Sequence, residues 1–336
     1  MNVPQPVLPA ATGLPSYDVF NGDADGLCAL HQLRMAHPRD SHLVTGVKRD
    51  IELLKNLPRA QALDVTVLDV CFDRNTEEVR ALLDHGATVQ YFDHHAASSL
   101  FPHPRLHATI DRSADVCTAL LVDRHLEGRY RNWAIVGAFG DNLLKVARPL
   151  AQQQGHGEQH IAQLEHLGML LNYNAYGEAV DDLHLHPLQL YASLHRFEDP
   201  FEFIAESKEY ALLHAGYEED QQRLTSLQPT VQDSAGEIFV LSGETWARRL
   251  SGSLANQRVA AGHGRSVSVL TPRSDGGYLV SVRVAEGCPA GADELCRRYA
   301  GGNGRRAAAG IDRLPEASLE AFFADFFRHV AGRTSP

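Results

Sequence analysis

Between Tyr17 and Leu144, short apolar runs alternate with segments whose apolar residues recur at helical spacing. YDVF (17–20), HLVTGV (42–47), DVTVLDV (64–70), TVQYFD (88–93) and LHATID (106–111) read as strands. Helices are predicted from Asp25 to His37, Asp50 to Leu57 and Asn75 to His85, then after the fifth strand through His125, and again from about Asn132. Strands alternating with amphipathic helices make βαβ units and a doubly wound, mostly parallel sheet. Such sheets bind ligands beyond the carboxyl ends of their strands. Where a polar residue stands relative to that edge therefore decides how it is read.

The pattern changes after residue 148. Residues 149–225 carry few strand signals and read as a helical connector. Its histidines (His156, His160, His166, His184, His186 and His195) repeat no metal-ligand spacing, so exposed or capping roles are expected. Strand signals return with EIFVL (237–241), SVSVL (266–270) and YLVSVRV (278–284), and helices are predicted over Ala292–Tyr299 and Ser318–Val330. The expected α/β architecture is a disordered leader over 1–16, a parallel-sheet domain over 17–148, the connector over 149–225 and a smaller α+β domain over 226–336. The leader has no basic region ahead of an apolar core and does not read as a signal peptide.

Composition narrows the function classes. With 336 residues, 44% hydrophobic and 22% charged, the chain can bury a core in each domain. No apolar stretch approaches the roughly 18–20 residues that span a bilayer, so no membrane partner is expected. Five cysteines without a CxxC pair fit a reducing cytoplasmic compartment better than a disulfide framework. The net charge of −11 argues against a coat for long duplex nucleic acid. From Arg223 onward, 14 Arg and no Lys stand against 11 Asp plus Glu, so the negative excess falls in the earlier part. That asymmetry reads as metal at one end and phosphate at the other. It reads equally as a general arginine bias, since the chain has only four lysines.

Acidic residues then gather at one edge of the expected sheet. FNGDADG puts Asp23 and Asp25 just after the first strand, where such a pair either ligates a hard divalent cation or caps the next helix. Asp69 follows the third strand, and Asp93-His94-His95 end the fourth. Asp141 follows the apolar helical run AIVGAFG. Carboxylates brought this close repel one another unless a cation lies among them. Four aspartates and a histidine suit a pair of Mn²⁺ or Mg²⁺ ions, and the histidine favours Mn²⁺.

In order, spacing and strand placement these motifs resemble those of the DHH phosphoesterase superfamily, over almost the whole chain. Asp23 and Asp25 match the family's DxD motif, Asp69 its strand-terminal aspartate, Asp93-His94-His95 its name-giving triplet and Asp141 its fourth motif. The second domain looks like the DHH-associated domain of subfamily 1, whose glycine-rich segment reads GNGRRAAAG (302–310) here, behind Ser281-Val282-Arg283. That ending differs from the second domain of the family-II pyrophosphatases.

The resemblance implies two Mn²⁺ ions bridged by Asp69, with Mg²⁺ or Co²⁺ as possible substitutes. Asp23 would hold one ion, and Asp25, His94 and Asp141 the other. Asp69, Asp93, His94 and His95 would form the catalytic set, Asp93 orienting its neighbours and His95 facing the substrate phosphate. Such ions activate water near neutral pH and stabilise both oxygens of an in-line displacement at phosphorus. Asn21, His95, Arg283, Gly302, Asn303, Gly304 and Arg305 would bind substrate, the glycines by letting backbone N–H groups approach a phosphate. A cleft between the domains would receive it.

Two positions depart from the family pattern. Val19 stands where many members have a metal-binding histidine, which assigns compensation to Asn21 or Asp73 or weakens one ion. Arg305 replaces the histidine of the glycine-rich segment. The leading expectation is a Mn²⁺-dependent phosphodiesterase that cleaves short linear oligonucleotides, especially pGpG and pApA. Its aromatic content of 7% is low for a groove that stacks long single strands. A cyclic-dinucleotide phosphodiesterase, a RecJ-like exonuclease and a catalytically impaired nucleotide-binding protein are the alternatives. A homodimer is included among the expected partners.

Overall fold

A computed structural model describes residues 13–261 and 264–332. It divides into two compact units, Met1–Gly216 and Tyr217–Pro336. Most of the expected leader, residues 1–12, lies outside the described residues, and Ser16 already opens the first strand. Among the described residues no helix is long and apolar enough to cross a membrane.

The first unit begins β1 (Ser16–Phe20), α1 (Ala24–Ala36), β2 (His42–Val44), β3 (Asp64–Leu68), α2 (Thr76–Asp84), β4 (Thr88–Asp93) and β5 (Leu106–Ile110). It continues as α3 (Thr118–His125), α4 (Arg131–Gly140), α5 (Leu144–Gln153), α6 (Glu158–Ala175), α7 (Pro187–Leu194) and α8 (Pro200–Glu206). The division between units falls inside α9 (Lys208–Thr225). The five strands are all parallel, in the order β2-β1-β3-β4-β5. Phe20 pairs with Leu68, and Leu68 with Phe92, so the carboxyl ends of the central strands lie level.

Strand order reverses between β1 and β3. Chains leaving those two strands turn to opposite sides, which opens a crevice at their ends. β3 is buried along its whole length, as expected for a strand covered on both faces. α1 is buried from Ala24 through Arg34 because other helices pack over it. The α4–α6 crossing is close because Gly140 meets Gly168, and a Cβ at either would strike the other helix's backbone.

The segment 50–57 forms only a single 3₁₀ turn, Leu53–Asn56, and not the expected helix. Pro58 follows immediately and leaves no room for a second turn. β2 stops at Val44, short of the expected Val47.

The second unit contains β6 (Val231–Gln232), β7 (Gly236–Val240), α10 (Thr245–Ala260), β8 (Ser266–Pro272), β9 (Tyr278–Arg283), α11 (Ala292–Cys296), β10 (Gly302–Arg305), β11 (Ala308–Leu314) and α12 (Leu319–Val330). Its sheet runs β10-β11-β9-β8-β7-β6 and is antiparallel except where β7 pairs with β8. Ile238, Val280, Leu295, Ile311, Phe322 and Phe326 lie in its core. Helix α10 and the β10–β11 hairpin add to the elements foreseen in the sequence.

Candidate metal centre

The DxD motif places its two carboxylates in different roles. Asp23 is the N-cap of α1, and its Oδ1 accepts from the N–H groups of Asp25 and Gly26, both at 3.1 Å. Asp25 points into the crevice with 1% exposure. Its oxygens accept from the backbone N–H of Thr118 and of Ala119 at 2.7 Å each, so the first residues of α3 hold it. Asn21 braces the same turn, accepting from the Asp23 N–H at 3.2 Å and donating to the Lys48 carbonyl at 3.3 Å.

Asp69 has φ +59, a left-handed conformation that few residues other than glycine, Asn and Asp adopt. Its own N–H still donates to the Phe92 carbonyl at 3.0 Å. The Thr118 hydroxyl donates to its Oδ1 at 3.2 Å. After β4, Asp93 is wholly buried. It accepts from His95 Nδ1 at 2.6 Å and from the Phe72 N–H at 3.3 Å. His94 Nδ1 sits 3.0 Å from the Val116 carbonyl. A carbonyl only accepts, so the proton is on Nδ1 and the Nε2 lone pair faces the crevice.

That Nε2 lies 3.4 Å from Asp69 Oδ1, 3.8 Å from Asp25 Oδ2 and 3.8 Å from Asp141 Oδ2. Asp141 caps the C-terminal end of α4. Two ligands of one ion at about 2.1 Å each are at most about 4.2 Å apart, and these pairs meet that limit. Asp25, His94 and Asp141 therefore fit one divalent cation. His95, 3.8 Å from Asp69 through Nδ1, completes an overlapping cluster with Asp69 and His94.

The electrostatics express the crowding. Burial, then the charges of Asp25, Asp23, Asp141 and Asp93, push the Asp69 carboxyl well above its ordinary range. Asp141 is likewise raised by burial, against the opposing pull of Lys48 and His94. Burial works against the charged forms of Asp23 and His95, yet each keeps its charge more firmly than usual. Lys48 outweighs burial at Asp23, and Asp93 does so at His95.

Lys48 is the residue that sequence reasoning missed. Its Nζ lies 2.5 Å from Asp23 Oδ2, 2.9 Å from Asn172 Oδ1 and 3.9 Å from Asp141 Oδ1. It follows β2 by four residues, on the edge already used to weigh the aspartates, so the same test applied to cations would have flagged it. Val19 is fully buried among core apolar residues and offers no donor. Asp73 is spent on the backbone and hydroxyl groups of Ser98 and Ser99 at 2.5–3.0 Å. Asp73 belongs to neither candidate ligand group of the centre. Among the connector histidines, His186 caps α7 by accepting from the Leu188 N–H at 3.1 Å.

In the second unit, Arg283 donates to Asn256 Oδ1 at 2.7 Å and to the Val282 carbonyl at 3.0 Å. Gly302, Asn303, Gly304 and Arg305 form β10, and the Arg305 side chain is exposed. A Cβ on Gly302 would strike the carbonyl of Cys296, so chain packing alone requires glycine there.

Neither a protein-family model nor a curated protein matches the sequence. Solved structures do match. Exonuclease RecJ bound to manganese is similar at 21% identity over 95% of this chain and 90% of that one, with a TM-score of 0.63. RecJ from Thermus thermophilus with Mn²⁺ is similar at 20% identity over 96% of this chain, with a TM-score of 0.58; this chain spans 53% of that one. PggH, a pGpG-specific phosphodiesterase from Vibrio cholerae, is similar at 12% identity over 95% of this chain and all of that one, with a TM-score of 0.55. These neighbours are DHH-superfamily proteins. The chain has the DHH fold. Within the DHH fold, the acids of all four motifs lie at the carboxyl edge of the parallel sheet, and the departure at Val19 is a packed core residue.

Proposed function

We propose that this chain is a metal-dependent phosphodiesterase of the cytoplasm that hydrolyses short linear oligonucleotides, 5′-phosphorylated dinucleotides foremost, to mononucleotides. The observation that carries this reading is the convergence of Asp25, Asp69 and Asp141 on His94 Nε2 at the switch point of the sheet. The fold it shares with manganese-bound RecJ and with PggH supports it. Bound divalent metal would activate water and offset charge on the phosphoryl oxygens.

The chain's own residues prepare that chemistry. Val116 fixes the His94 tautomer, and the start of α3 orients Asp25 through backbone donors. Asp93 accepts a hydrogen bond from His95 Nδ1. The His95 ring is 41% exposed, so its Nε2 can donate to a phosphate oxygen. Arg283, Arg305 and the backbone of 302–304 are proposed to bind the rest of the nucleotide.

A second reading, exonucleolytic shortening of longer single strands, is favoured by the higher TM-score to RecJ than to PggH, 0.63 against 0.55. A Mn²⁺-dependent time course on 5′-phosphorylated dinucleotides, a heptanucleotide, a long single strand and cyclic di-GMP separates the two. Mononucleotide release from the dinucleotides before any other substrate is the expected result. Preferred cleavage of the long strand would move the chain to the exonuclease reading, and no cleavage of any of them would overturn both.

A further inference from the structure

We infer that Lys48 is itself the second cation of this centre, so that the site takes one divalent ion and a built-in ammonium where the family resemblance implies two ions. The inference rests on the phosphodiesterase reading for what the centre does, and on geometry for how it is built.

Asp23, the carboxylate implied for the other ion, has both oxygens committed. Oδ1 accepts two backbone N–H groups at the start of α1, and Oδ2 receives Lys48 Nζ at 2.5 Å. Asn172 accepts from the same ammonium at 2.9 Å. Lys48 is also anchored through its backbone, its N–H donating to the Ala175 carbonyl at 2.9 Å and its carbonyl accepting from Asn21 at 3.3 Å. The Tyr176 ring lies 5.8 Å from Nζ and offers a further contact for the cation. This is a lysine held at both ends, unlike one trailing over a surface.

Asp141 supplies the decisive arrangement. One of its oxygens lies 3.9 Å from Lys48 Nζ, and the other lies 3.8 Å from His94 Nε2. It thus stands between the ammonium and the Asp25–His94 side of the centre, as a shared carboxylate stands between two cations. Across the crevice floor, the position implied for a histidine is Val19, which is buried and apolar. A divalent ion at Asp23 would have to displace an ammonium already bonded there, with one donor fewer to repay it. A lysine is a compact point charge, and in this place it provides a positive charge that does not exchange with the medium.

The test titrates the full chain with Mn²⁺ alone, following bound metal by equilibrium dialysis and Mn–Mn exchange coupling by electron paramagnetic resonance. Saturation at one ion per chain with an uncoupled spectrum is expected. In Lys48→Met, saturation should move from one ion towards two and coupling should appear, whereas Lys48→Arg should stay at one. Two coupled ions in the wild-type chain would overturn the inference while leaving the phosphodiesterase reading intact, and this arm needs no variant to fold. One ion in Lys48→Met would also overturn it. No bound Mn²⁺ at all would overturn both, and one uncoupled ion without dinucleotide cleavage would support Lys48 while sinking the phosphodiesterase reading.

Discussion

Thr118 binds Asp25 and Asp69 at once: its N–H donates to Asp25 Oδ2 at 2.7 Å and its hydroxyl to Asp69 Oδ1 at 3.2 Å. One residue at the start of α3 therefore sets the spacing of two buried carboxylates that would otherwise push apart. The site is assembled from strand ends, but a helix terminus gives it its dimensions.

Asp69 bears the largest cost of that assembly. Burial and four neighbouring carboxylates raise its pKa, so the folded chain keeps a proton that the unfolded chain loses above about pH 4. Its contribution thus lowers stability as pH rises from there. Asn has the same shape, tolerates φ +59 and carries no charge. Asp69→Asn should be more stable than wild type by roughly 1 kcal/mol at pH 8 in chelator, with little difference at pH 4, and should lose phosphodiesterase turnover by more than about tenfold. Urea melts at the two pH values and initial rates on pGpG check this. A variant no more stable at pH 8 would show that the carboxylates are not in conflict.

His31 titrates in the opposite sense. It is fully buried against Trp133, with its Nδ1 3.0 Å from Nδ1 of His195. Burial, and then the charge of His195, lower its pKa to about 3. Below about pH 6.5 the unfolded chain takes up a proton that the folded chain refuses. His31 therefore gives full stability above that value and loses it as pH falls towards 3, with a limiting slope of about 1.4 kcal/mol per pH unit. His31→Asn keeps a polar atom near Nδ1 without titrating. The stability difference between wild type and variant should change with that slope between pH 6 and 4, and a constant difference would refute the assignment.

Asp18 and Arg34 form a buried ion pair through two contacts at 2.5 and 2.7 Å, with Thr66 and Ser41 satisfying the remaining groups. Removing one partner strands the other's charge. Arg34→Met should cost about 3–5 kcal/mol, and adding Asp18→Val should recover most of it. Chemical denaturation of the two variants decides this, since a double variant no more stable than the single one contradicts the pairing.

Gly302→Ala asks whether the glycine-rich segment is required by packing. The added methyl group meets the carbonyl of Cys296, which is backbone and cannot swing away. A loss of about 2 kcal/mol or more in the second unit's stability is expected, with Mn²⁺ stoichiometry unchanged because the donor residues belong to the first unit. Retained stability together with a raised KM for dinucleotide would instead favour a role in binding phosphate.

Legibility followed the physical contrast available to each element. β1, β3 and β4 are apolar runs ended by polar residues, and their aspartates could be placed at the sheet edge from that contrast alone. α10 was hidden because its buried face includes Arg249, paired with Asp220 at 2.8 Å. Ser251, Gly252, Ser253 and Asn256 also weaken its helical signal. β10 consists of GNGR, with no β-branched or aromatic residue to announce a strand. In the site, Asp25, Asp69, His94 and Asp141 were marked by position. Lys48 escaped because a single lysine in a loop carries no periodicity, and its partners Asn172 and Asp141 lie far along the chain.

The backbone donors on Asp25 have a consequence for sequence drift. A side-chain donor is lost when its residue is replaced, but the N–H groups of Thr118 and Ala119 are present in every residue except proline. The grip on Asp25 can therefore survive almost any exchange of side chain at Ala119, and all but its hydroxyl partner to Asp69 at Thr118. Descendants of this chain could change around the ligand for a long time before the carboxylate lost its seat.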